Sequence, residues 1–173
     1  MRNTAHTCRG RRSAQRGLRD TIWLVVEGRV EQFDYFMSEE YLPVDMRQKA
    51  NVALGGEHAW RIGDFEAVVL TAKSVNLASL GGQVQFILPE GTCEMHWINY
   101  DSEGQKANES WNVYVERSAS EVLTKFRSVC GSVDFMKEAN DWRVIREKIE
   151  NESIDPLEYL WFVGYFKTET QEN

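Results

Sequence analysis

At 173 residues, with 42% hydrophobic and 12% aromatic content, the chain is long enough for one cored domain and too apolar for global disorder. Its net charge of −7 hides a split: residues 1–20 carry six arginines against Asp20, a net +5, so removing that +5 from −7 leaves −12 on the remainder. An acidic body of this kind repels nucleic-acid phosphate and attracts cationic partners, and no apolar run approaches the roughly 20 residues needed to span a bilayer.

Residues 1–20 hold almost no large apolar side chain and read as a disordered basic extension, with residues 21–173 as a single α+β domain. The arginines fit a presequence or a nucleic-acid arm in charge alone; a solvated extension needs nothing more. Cys8, Cys93 and Cys130 are odd in number and widely spaced. They make no disulfide framework and point to a reducing, cytoplasmic setting.

Ile22–Val26 and Val30–Met37 are β-branched and aromatic runs around Glu27-Gly28-Arg29, predicting two strands and a turn. Ser38-Glu39-Glu40 breaks the second strand, and Leu42-Pro43 marks an edge or loop. From Asp64, the stripe Phe65, Val68, Val69, Ala72, Val75 suits a helix, while Val68–Thr71 suits a strand equally well. Gly55-Gly56 and Gly81-Gly82 bracket this region as turns.

Gln83–Leu88, Cys93–Tyr100 and Trp111–Arg117 predict an antiparallel meander with alternating inward faces: Val84, Phe86, Leu88, then Cys93, Met95, Trp97, then Trp111, Val113, Val115. Ser118-Ala119-Ser120-Glu121 matches a capping box, opening a helix that ends near Gly131. Asp134 caps a second helix with stripe Phe135, Ala139, Trp142, Ile145, Ile149. Asp155-Pro156 predicts a last, all-round apolar helix over 157–166. Strands first and helices last imply an α+β fold: an antiparallel β-sheet of about five strands with the C-terminal helices packed on one face.

Recognisable chemistry is sparse. Cys93 and His96 have ligand-type side chains, but three residues apart on a strand they point to opposite faces, so no metal site is expected, and no cofactor motif is present. Glu94 and His96 share a strand face and make an acid–base pair available to a small hydrolytic or ligand-binding enzyme. His58, beside Glu57, reads as a loop residue. Acids recur beside aromatics: Asp34, Tyr35, Glu39 and Glu40 near the second strand, Trp97, Asp101 and Glu103 later. Acids of this kind steer a basic partner, and aromatics supply its anchors.

The segment Phe33-Asp34-Tyr35-Phe36-Met37-Ser38-Glu39-Glu40-Tyr41-Leu42-Pro43 resembles the aromatic strand, polar turn and Leu-Pro step near the start of some immunity proteins of bacterial toxin systems. That resemblance implies a cytoplasmic, non-catalytic protein that neutralises a cognate basic toxin by occluding its active site. Asp34, Tyr35, Glu39, Glu40, Trp97, Asp101 and Glu103 are its expected partner-binding residues. A DNA-mimicking inhibitor of a nucleic-acid enzyme is the neighbouring alternative. Direct nucleic-acid or membrane binding is not expected.

Overall fold

The structure is a computed structural model that describes residues 38–52 and 56–169, together with the backbones of three strands, β1 (Arg9–Gly10), β2 (Ile22–Val26) and β3 (Arg29–Phe33). After these come a 3-10 turn (Ser38–Tyr41), α1 (Val44–Gln48), β4 (Asn51–Val52), β5 (His58–Trp60), α2 (Ile62–Ser74), β6 (Ala78–Gly81), β7 (Gln83–Leu88) and β8 (Gly91–Asn99). The chain continues through α3 (Trp111–Ser132), α4 (Phe135–Asp141), α5 (Arg143–Glu152), a second 3-10 turn (Pro156–Tyr159), β9 (Leu160–Val163) and β10 (Tyr165–Lys167). The fold is α+β, as expected.

The main sheet has the order β1-β8-β7-β9-β5-β4, with every pairing antiparallel. β10 pairs with β6, and β2 with β3. Within the basic stretch 1–20, Arg9 and Gly10 lie against Thr92 and Gly91; the rest of that stretch lies outside the described residues.

Helices α2, α3, α4 and α5 pack their apolar residues onto the face of the sheet that carries Val84, Phe86, Met95 and Phe162. Phe162 is the hub. Its ring centre lies 5.1 Å from that of Phe126, 5.9 Å from Phe135 and 6.1 Å from Phe65. Fully burying a phenylalanine of this kind stabilises by roughly 1.5–3 kcal/mol. The buried Tyr100 hydroxyl donates to the Val163 carbonyl, so the one polar group in this aromatic cluster is satisfied.

The structure decides the choice left open at 64–80 and corrects several other expectations. Residues 64–74 are helical: Phe65, Val68, Val69 and Ala72 are buried at helical spacing, although Arg61 rather than Asp64 occupies the N-cap. Trp111–Arg117 is not a strand but the first two turns of α3, and Ser118 is buried inside that helix instead of capping it. The Ser118 hydroxyl donates to the Val115 carbonyl and accepts the Ser79 N–H, tying α3 to β6. The expected helix over 157–166 exists only as a 3-10 turn, with Asp155 accepting the Leu157 N–H. Leu160–Val163 then runs between β7 and β5 as a central strand, and its all-round apolarity reflects burial on both faces.

Cys93 is disulfide-bonded, so the expectation of separate thiols fails. Cys130 is free, and partial burial, with Glu66 nearby, pushes its thiol up to about 11. The expected second helix is broken in two at Trp142, whose extended backbone separates α4 from α5. No helix among the described residues is long and apolar enough to cross a membrane.

Candidate protein-docking surface

The β8 strand does not alternate along its whole length. Val84 pairs with Met95, but the preceding residue of β7, Gln83, pairs with Asn99. Three residues of β8, His96, Trp97 and Ile98, therefore bulge between those two pairs. The bulge turns Ile98 inward and leaves Trp97 48% exposed, so Trp97 does not share the buried face of Cys93 and Met95.

The exposed indole is nonetheless held. It stacks on Trp142 with ring centres 6.2 Å apart at 14°, and its N–H donates to Glu138 Oε2 at 3.2 Å. Glu138 lies on α4, whose Asp134 N-cap accepts the Lys137 N–H as the sequence predicts. Met136, on the same short helix, is also exposed. The sequence signal for Glu138 was its place four residues after the cap, visible only once Trp97 is known to face α4.

The other expected binding residues separate. Asp34 and Tyr35 lie outside the described residues. Glu39 is only 3% exposed and is unavailable to a partner, which corrects its place in the docking set. Burial pushes its carboxyl up to about 7, against the opposing pull of the Glu39 and Phe166 backbone N–H groups. Among the described residues its Oε2 has no hydrogen-bond donor. Glu40, the next residue, is exposed.

Asp101 and Glu103 are exposed but mostly serve the loop that leads into α3. Asp101 Oδ1 accepts the Gly82 N–H, and Glu103 lies 3.7 Å from Lys106. The same loop is clamped by Arg117, which donates to Glu109, Glu121 and the Gly104 carbonyl at 2.7–2.9 Å. Most acids on the helices are matched by a nearby base in the same way, as in Lys73–Glu116, Arg127–Glu66 and Lys148–Glu152.

Glu94 and His96 do come together, 3.1 Å apart. The other imidazole nitrogen, Nδ1, sits 2.8 Å from Gln83 Oε1, so both ring nitrogens are engaged on an exposed surface. A substrate would have to displace one of these two neighbours before the ring could move a proton for it. His58 is not a loop residue but opens β5, stacked on Trp60, and partial burial lowers its pKa. Among the described residues no group of three or more His, Cys, Asp or Glu side chains is arranged to hold a metal ion. No family model, curated protein or solved structure matches the chain.

Proposed function

We propose that the chain is a binding protein that neutralises a basic protein partner, a toxin of the kind countered by immunity proteins, by covering its active site. The observation that carries this reading is the Trp97 indole: half-exposed, yet fixed by the Trp142 stack and by the Glu138 carboxylate. An aromatic whose rotamer is already set loses little entropy when a partner covers it, and exposed tryptophans are favoured as interface anchors. The carboxylate at its edge suits a lysine or arginine of the partner, whose charge the acidic body attracts. A cationic active-site cleft built for phosphate presents both requirements.

The test is affinity capture with the intact chain from extracts of the native host, followed by assay of the captured protein. A cationic protein whose activity falls on binding, and whose capture is lost at high salt and weakened at least about thirtyfold by Trp97→Ala, supports the reading. Capture of neutral or acidic proteins only, or full activity in the complex, overturns it.

A further inference from the structure

The segment 40–45 turns two apolar and two acidic side chains outward within six residues. Tyr41 and Val44 are 55% and 56% exposed, and Glu40 and Asp45 are exposed beside them. Neither acid forms an ion pair among the described residues, whereas Lys49, one turn beyond Asp45, is committed to Asp64 at 2.8 Å.

The backbone beneath this surface is fixed from several sides. Leu42 is buried, with its N–H donating to the Glu39 carbonyl at 3.0 Å and its own carbonyl accepting Arg47 Nε at 3.0 Å. The Pro43 carbonyl accepts the N–H groups of Met46 and Arg47. The Met46 carbonyl accepts the Trp60 indole N–H at 2.8 Å, locking α1 to β5. An exposed tyrosine and valine on a backbone this constrained are a preformed relief, not a flexible loop. Tyr41 and Val44 lie three residues apart, each more than half exposed, and give a partner apolar surface to cover.

We propose that Glu40, Tyr41, Val44 and Asp45 form a docking surface for an arginine- or lysine-bearing segment of the basic partner, a reading that rests on the function proposed above. Charge complementarity selects the occupant. Glu40 and Asp45 flank the apolar pair in sequence, so a guanidinium stacked on the Tyr41 ring would have a carboxylate within its reach, and an aliphatic neighbour would cover Val44. A neutral or acidic segment gains only the apolar half of this surface.

The probe is an amidated octapeptide of alternating arginine and leucine, titrated into the full-length ¹⁵N-labelled chain at low salt. The expected result is saturable amide shifts centred on residues 39–46, weakened at least fivefold by Tyr41→Ser and by the double variant Glu40→Lys, Asp45→Lys. High salt should erase the effect of the charge variant and leave that of Tyr41→Ser. All three positions are exposed, and far-ultraviolet circular dichroism checks that the variants stay folded. Shifts spread over the acids of α3–α5, unchanged affinity in both variants, or no shift at about 1 mM peptide overturns the proposal. A partner captured as described above but indifferent to these variants overturns this surface while leaving the function intact; failure to capture any cationic protein overturns the function itself.

Discussion

The indoles of Trp97 and Trp142 lie nearly parallel, 6.2 Å apart, one at the surface and the other in the core. This pair joins the β8 bulge to the junction of α4 and α5, so the exposed ring is a continuation of the core. Two stacked indoles at this distance couple their electronic transitions. A far-ultraviolet exciton couplet is expected, and either Trp97→Phe or Trp142→Phe should abolish it. The stack is worth about 1 kcal/mol beyond area burial, so Trp97→Ala, which also loses the buried half of the indole, should lower unfolding free energy by more than that in a denaturant titration. An unchanged spectrum in either variant counts against a fixed pair.

Glu39 gives a prediction with a definite sign. Its carboxyl is raised from 4.5 to about 7 by burial. A carboxyl raised on folding contributes stability that is fully present below 4.5 and is lost as pH rises through about 7. That shift corresponds to a loss on the order of 3 kcal/mol above neutrality. Glu39→Gln keeps an acceptor for the Phe166 N–H and removes the charge. The variant should be more stable than the native chain at pH 8, equal to it near pH 4, and flatter between. Thermal melts at four pH values measure this directly, and parallel curves for the two proteins would rule it out.

The clamp at Arg117 predicts the opposite sign. Hydrogen bonds from Arg117, then from the Lys106 backbone, hold the Glu109 carboxyl down at about 2. Its contribution is therefore present above 4.5 and disappears as pH falls through about 2. The Lys106 and Glu103 N–H groups are bonded to Glu109 and Glu121. Arg117→Lys cannot bridge both acids and the Gly104 carbonyl in one plane. Amide exchange at Glu103 and Lys106 should accelerate severalfold at pH 5 in that variant, while the native loop stays protected to about pH 3. Equal exchange rates would show that the clamp does not order the loop.

At Gly82 the constraint is steric. A Cβ built there would lie 2.0 Å from the Val163 carbonyl oxygen, a backbone atom of the central strand. Gly82→Ala should cost more than about 4 kcal/mol or prevent folding. Gly104→Ala, where nothing lies within 4 Å of the added carbon, should change stability by less than about 0.5 kcal/mol. Chemical denaturation of the pair separates close approach from a general effect of replacing glycine.

The pattern of Gln83–Leu88 was legible because its inward residues obey period 2 against a fully buried face. The Asp134 cap was legible because its chemistry is local. Trp111–Arg117 misled because Trp111, Val113 and Val115 alternate, yet Val113 is exposed and Tyr114 is buried. The helical series Trp111, Tyr114, Val115, Ser118, Ala119 needs Ser118 counted among the buried residues, which only its bonds across to β6 justify. Leu160–Val163 misled because an apolar run has no period, and burial on two faces looks the same in a strand and a helix. For the site, Trp97 was named from its type, but its exposure depends on a bulge that no local pattern announces. Glu39 and Glu40 are adjacent and identical in sequence terms; tertiary packing alone buries one and leaves the other outside.

The position of β9 has a consequence for biosynthesis. The strand at 160–163 fills the slot between segments made some eighty and one hundred residues earlier, at 83–88 and 58–60. A nascent chain that stops short of Leu160 therefore offers two unfilled strand margins, each able to recruit a foreign strand. Completion of the sheet therefore waits for that segment, and the chain is most open to foreign strand addition before it docks.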